Sequence, residues 1–157
     1  MAEHLEIAQG SKAEIYETLL SQVRSVVEDE PDFIARMANI TAMIHETFRF
    51  WWTGFYRVAN DQQLVLGPFQ GPIACTRIRK GRGVCGTAWA TGETQIVPDV
   101  EKFPGHIACS SASRSEIVVP VKDKRGVVVA VLDIDSEHLG TFDEIDRFWL
   151  EKIVNLL

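Results

Sequence analysis

The sequence predicts an α+β domain in which a mainly antiparallel sheet carries helices on one face. Three observations predict it. Two stretches of helical apolar spacing open the chain, Ser11 to Val27 and Asp32 to Phe48, and a third follows Thr141. Short β-branched and aromatic runs, separated by turn residues, fill the middle. The connections between most of these runs are of hairpin length, which favours antiparallel pairing with the helices segregated to one side.

Each element has a local reason. Ser11-Lys12-Ala13-Glu14 has the form of a capping box, the Ser11 hydroxyl taking one orphan N–H and Glu14 reaching back to another. Ile15, Leu19, Leu20, Val23 and Val27 then recur at helical spacing. Glu28 to Pro31 ends this helix, and Asp32 caps a second with Phe33, Ile34, Met37, Ile40, Ile44 and Phe48 on its inner face. Phe50 to Val58 reads as a strand, Asn60-Asp61 as a turn and Gln63 to Gly67 as a second strand. Gly67 to Pro72 reads as a rigid turn and Ile73 to Ile78 as a third strand. Lys80 to Gly83 leads into a short helix, Val84 to Ala90, closed by Thr91-Gly92, and Thr94 to Val97 is a short strand. Pro98 to Ser113 is a long connection, and long connections in compact domains tend to carry function. Ser115 to Val121 and Val127 to Ile134 are the clearest strands, joined through Asp123-Lys124-Arg125-Gly126. The last helix opens at Thr141-Phe142-Asp143-Glu144, with Phe142, Ile145, Phe148, Trp149 and Ile153 along one side.

The 157 residues, 46% apolar and 24% charged, suit one domain over 1–157 that needs no disulfide or metal staple to fold. With 16 basic and 22 acidic residues the net charge is −6, which argues against a nucleic-acid surface and against an anionic membrane. No apolar run reaches the ~18 residues of a membrane span. The start, Met1 to Glu6, has neither the basic nor the apolar part of a leader, so the expected compartment is the cytoplasm.

The chain has three cysteines, Cys75, Cys85 and Cys109, and none forms Cys-x-x-Cys. Cys109 lies in the long connection between small and polar neighbours, which favours an accessible thiol, and a protonated His106 nearby would lower its pKa. Cys75 reads as a strand residue and is as readily a small core side chain. Cys75, Cys85, Cys109 and His106 have the ligand types of a zinc site, but their spacing is poor and no metal is expected. Gly81-x-Gly83-x-x-Gly86 lacks the parallel βαβ setting of a nucleotide loop, so no nucleotide cofactor is expected either.

Glu116, Asp133 and Asp135 stand inside or at the end of strands. A hairpin that pairs Lys122 with Val127 sets Glu116 opposite Asp133, with Asp135 further along the same face. A glycine-bulge loop shifts the register by one and separates them. Like charges opposed in a sheet destabilise it unless a cation, a shared proton or a ligand intervenes. The alternative is that the acids are solvated at strand ends beside Arg114 or Lys122. Trp52 and Tyr56 share one strand face, either as core residues or as an aromatic wall for a ligand.

Taken together, Trp52-Thr53-Gly54-Phe55-Tyr56, Leu66 to Gly71, Cys75, Gly83-Val84-Cys85-Gly86, Val97 to Val100, Ile107-Ala108-Cys109, Ser115 to Pro120 and Leu132 to Ser136 resemble the free methionine-(R)-sulfoxide reductases. These are stand-alone GAF domains, and the resemblance covers residues 12–157. It implies a GAF-like sheet with the N- and C-terminal helices on one face and a ligand pocket on the other. It implies that Cys109 attacks the sulfoxide, that Cys75 resolves it, and that Cys85 is the family's third cysteine. Trp52, Tyr56 and Ile107 would line the substrate, and Glu116, Asp133 and Asp135 would hold its ammonium group and polarise its sulfoxide. The implied partners are free methionine sulfoxide and a thioredoxin reductant, with a homodimer as a further expectation. A GAF sensor of a small ligand or of redox state is the competing reading; it would not need three thiols in these contexts.

Overall fold

The computed structural model describes residues 4–157; Met1 to Glu3, the beginning of the segment read as lacking a leader, lie outside the described residues. Ser11 accepts from the Glu14 amide at 3.2 Å and opens α1 (Lys12–Val27), and Asp32 accepts from Ala35 at 2.8 Å and opens α2 (Phe33–Phe48). The complete reciprocal capping box lies instead at Asp143 and Asp146, where α4 (Glu144–Val154) begins.

Between the helices run β1 (Trp52–Val58), β2 (Gln63–Gln70), β3 (Arg77–Arg79), α3 (Gly83–Thr91), β4 (Gln95–Val97), β5 (Ser115–Lys122) and β6 (Val128–Ser136). The strands form one sheet in the order β3-β2-β1-β6-β5-β4, and every neighbouring pair is antiparallel. Alternation along the central strands divides two cores. Phe55, Ile117, Val119, Leu132 and Ile134 face α1, α2 and α4, while Trp52, Tyr56, Val118 and Val131 face α3 and the pocket. The α+β class, the antiparallel sheet and the placement of the terminal helices are therefore as expected.

Five local expectations are corrected. β2 does not turn at Gly67-Pro68 but continues to Gln70, because a bulge opposite Phe55 absorbs both residues and spares the proline a ladder bond. β3 is shorter than Ile73–Ile78; Ile73 is 90% exposed and Cys75 lies in a loop, not on a strand. Phe50 precedes β1 and packs between Phe48 and Phe142, with centroids 5.1 and 5.2 Å away. On α4, Ile145 and Phe148 are exposed, because Asp146 takes the inward position. Its carboxylate accepts from the Tyr16 hydroxyl at 2.6 Å and from Lys12 Nζ at 2.7 Å, so a buried charge is paired and ties α1 to α4. Ile34, expected on the inner face of α2, is likewise exposed.

The β5–β6 register follows neither expected alternative. A bulge between Val121 and Lys122 adds one residue to one strand. Glu116 therefore opposes Asp135, and Asp133 opposes Val118. Relative to the Lys122–Val127 pairing the shift is even, so all three acids keep the same face.

Candidate functional site

β1 builds one wall of the site. Gly54 allows it: a Cβ there would run into the Trp52 ring and the Phe69 side chain. Trp52 consequently lies flat, stacked on Phe69 at 5.3 Å and near Tyr56 at 5.9 Å. The polar ends of these aromatics hold the neighbouring loops. Trp52 Nε1 donates to the Pro72 carbonyl at 3.1 Å, and the Tyr56 hydroxyl donates to the Cys75 carbonyl at 2.9 Å. Trp51 Nε1 donates to Ser110 Oγ at 3.3 Å, one residue beyond Cys109. β1 thus anchors the Cys75 loop, and Trp51, the residue before it, anchors the Cys109 loop.

Those loops are joined. Cys75 and Cys109 form a disulfide, with their Cα atoms 5.5 Å apart; Cys109 lines the pocket and Cys75 lies just outside its lining. Cys85, in the first turn of α3, is free and buried. Burial first, then the surrounding acids, push its thiol pKa well up, so it is no thiolate at neutral pH. The Cys₃His zinc set is not assembled here. The described residues that do converge as possible ligands are Cys85, Glu116 and Asp133, whose donor atoms lie within 4.8 Å of one another.

The acids form the floor. Burial, and then the charge of Asp135, push Glu116 up to about 8. Burial also pushes Asp133 and Asp135 well above the ordinary carboxylate range. Ser113, which the sequence reading missed, donates to Asp135 Oδ1 at 2.6 Å. Asp133 Oδ1 is buried without a hydrogen-bond partner. His106 Nε2 stands 3.7 Å from Glu116 Oε2, but burial lowers His106 while Glu116 is raised, so the two meet as neutral groups at pH 7. The condition under which His106 would lower the Cys109 pKa, a protonated imidazole, is disfavoured by this burial.

Trp52, Tyr56, Ile107, Cys85, Cys109, Glu116, Asp133 and Asp135 all line one pocket. With the disulfide closed its cavity is about 50 Å³, room for about one or two waters. Arg82 and Ser113 also line the pocket, and both lay outside the sequence expectation. Ser113 left no signal beyond its place at the end of the long connection. Arg82 stood inside the glycine-rich stretch set aside as no nucleotide loop.

The model of the GAF domain matches residues 27–157. The chain is similar to "GAF domain-containing protein A" of Dictyostelium discoideum, 60% identical over 157 residues that cover 100% of this chain and 99% of that protein. It is similar to the "Free methionine-R-sulfoxide reductase" of Saccharomyces cerevisiae, 40% identical over 99% of this chain and 91% of that protein. Among solved structures it resembles free methionine-R-sulfoxide reductase from Neisseria meningitidis in complex with its substrate, with 51% identity, a TM-score of 0.94, and coverage of 98% of this chain and 92% of that one.

Proposed function

The chain belongs to the GAF-domain free methionine-R-sulfoxide reductases and reduces free methionine-(R)-sulfoxide to methionine, and from that premise we propose the role of each site residue. The single observation that carries the assignment is the Cys75–Cys109 disulfide beside a pocket whose lining holds two buried acids, Glu116 and Asp133, and the half-buried Asp135.

A sulfoxide sulfur is a poor electrophile until its oxygen takes a proton. Glu116, held near 8, still carries one at neutral pH and is the proton donor. Cys109 attacks the sulfur as a thiolate. The oxygen passes from the substrate sulfur to Cys109 Sγ: the sulfoxide S–O bond and the transient S–S bond break, a Cys109 S–O bond forms, methionine leaves reduced by two electrons, and Cys109 is left oxidised by two as a sulfenic acid that carries the donated proton. The Cys75 thiol then condenses with it, releasing water and giving the disulfide described above. Asp133 and Asp135 hold the substrate ammonium, while Trp52, Tyr56 and Ile107 enclose its apolar part. Cys85 supports this floor as a neutral thiol. It stays free and buried while Cys75 and Cys109 are bridged, which gives it no part in the disulfide described.

A dithiol protein of the thioredoxin type returns the enzyme to its reduced state by exchange at the disulfide. Such a cycle belongs in a reducing compartment, hence the cytoplasm. Residues 1–157 act as one domain. A homodimer would use the exposed Ile145 and Phe148 of α4, and sedimentation at several concentrations checks it. The deciding experiment is an NADPH-coupled assay with thioredoxin and thioredoxin reductase that compares the two free sulfoxide epimers with a peptide substrate. Turnover confined to the free (R) epimer is expected. Equal turnover of the peptide would overturn the reading.

A further inference from the structure

Cys85 in the first turn of α3, Glu116 on β5 and Asp133 on β6 bring one thiol and two carboxylates together on the pocket lining, with donor atoms within 4.8 Å of one another. We propose that these three side chains form an inhibitory zinc site, at which a Zn²⁺ ion and the substrate exclude one another. The exclusion rests on the reductase reading above; the binding of the metal does not.

The cluster lacks a cation. Cys85, Glu116 and Asp133 are exposed by only 4%, 6% and 6%. Polar groups buried this far are ordinarily satisfied within the protein. Asp133 Oδ1 is not, since it is buried with no hydrogen-bond partner. Among the described residues no Lys or Arg forms an ion pair with Glu116 or Asp133, and the one basic neighbour is His106, 3.7 Å from Glu116. Buried acids are commonly paired or hold a metal. The adjoining cavity of about 50 Å³ admits a compact ion with a water.

The donor set selects the metal. Mg²⁺ and Ca²⁺ take oxygen ligands and have no use for the thiol, whereas Zn²⁺ accepts sulfur and carboxylate oxygen together. Three protein ligands and one water complete a tetrahedron. Bonds of about 2.0 to 2.3 Å set its donors roughly 3.5 Å apart, within reach of small side-chain rotations from the present separations. A helix and two paired strands supply the ligands, so their backbone positions are fixed. The Cys85 proton passes to solvent as the S–Zn bond forms. Cys75 and Cys109 take no part, because their sulfurs are bonded to each other. A zinc ion here occupies Asp133 and Glu116, the partners of the substrate's ammonium group and sulfoxide oxygen, and so keeps the substrate out.

Co²⁺ is the spectroscopic probe for the site. Oxidised wild type, Cys85→Ser and Asp133→Asn, freed of metal by a chelator, are titrated with Co²⁺. Cys85 is then the one free thiol, so a sulfur-to-cobalt charge-transfer band reports it alone. The band should saturate at one ion per chain in wild type, vanish on adding Zn²⁺ but not Mg²⁺, and be absent from Cys85→Ser. Asp133→Asn should bind at least about 10-fold more weakly, since even an outer-shell partner is worth that much. No band in wild type, or wild-type affinity in a folded Asp133→Asn protein, overturns the site. For the exclusion, pre-reduced proteins are mixed with free methionine (R)-sulfoxide and Zn²⁺, and the methionine of a single turnover is counted. In wild type the Zn²⁺ needed for half-inhibition should rise with substrate concentration, and Cys85→Ser should need at least about 10-fold more. Inhibition of Cys85→Ser at the wild-type concentration would assign the zinc to Cys75 and Cys109 and overturn the inhibitory role. A wild type that forms no methionine without zinc refutes the reductase reading instead, and the cobalt titration still decides the metal site.

Discussion

Glu116 on β5 lies directly opposite Asp135 on β6, and Asp133 follows two residues back along the same strand face. Opposed carboxylates in a sheet repel when both are ionised. Burial adds a second penalty on charge, so the cluster retains protons at neutral pH. The arrangement is costly for folding and useful for a reaction that must protonate a sulfoxide oxygen.

The first prediction concerns the pH dependence of the chemical step. The donor is active only while protonated, and Glu116 is held at about 8. Single-turnover methionine formation should therefore fall as pH rises through about 8. Glu116→Gln should remove that descending limb and slow the step by roughly 10²- to 10⁴-fold, the usual size of a general-acid contribution. Quenched-flow measurement from pH 6 to 10 checks both. An unaltered limb in Glu116→Gln would assign the proton to another acid.

Stability should move with pH in the same window. The folded protein holds a proton on Glu116 up to about 8, whereas an ordinary glutamate, and hence the unfolded chain, releases it near 4.5. The folded state binds more protons between these values, so unfolding free energy falls as pH rises from about 4.5 to about 8 and levels off above. At ~1.4 kcal/mol per unit, the loss from this group is on the order of a few kcal/mol. Urea denaturation of the oxidised protein at pH 5 and pH 8.5 should show the decline in wild type and a smaller one in Glu116→Gln, where the raised Asp133 and Asp135 still contribute.

The cysteines separate by step. Cys109→Ser should form no methionine at all. Cys75→Ser should form about one methionine per enzyme and then stall, leaving a sulfenic acid that dimedone traps. Cys85→Ala should sustain thioredoxin-driven turnover, since its thiol is free and buried while Cys75 and Cys109 are bridged. Product counted by mass spectrometry, with mass shifts on the intact protein, distinguishes the three. A Cys75→Ser protein that keeps full steady-state turnover would remove its resolving role.

What was legible in the sequence was whatever has a local cause. The caps at Ser11 and Asp32, the alternation in β1 and the two central strands depend on neighbours a few residues away. The three acids were visible as candidates because charge inside a β-branched run is anomalous. Their register was not, because one bulge at Val121/Lys122 decides it and either turn chemistry was plausible. The inward face of α4 was misjudged because Asp146 is buried through partners more than a hundred residues away, Lys12 and Tyr16. Cys75 was assigned to a strand because Ile73 and Ile78 suggested one. What holds that segment in a loop is contact at a distance, from the Trp52 indole and the Tyr56 hydroxyl.

That last contact gives the final prediction. The Tyr56 hydroxyl donates to the Cys75 carbonyl at 2.9 Å and places Cys75 relative to Cys109. Tyr56→Phe keeps the ring and removes only this bond, leaving a carbonyl to find another donor. The expected cost in stability is about 1 kcal/mol. The kinetic effect should fall on the second step: attack on the sulfoxide proceeds, but condensation of Cys75 with the Cys109 sulfenic acid slows, because the thiol spends less time within reach. Rapid-mixing experiments with dimedone should trap more sulfenic acid in Tyr56→Phe than in wild type at equal methionine release. If the hydroxyl served the substrate rather than the loop, methionine release itself would slow and no excess sulfenic acid would be trapped.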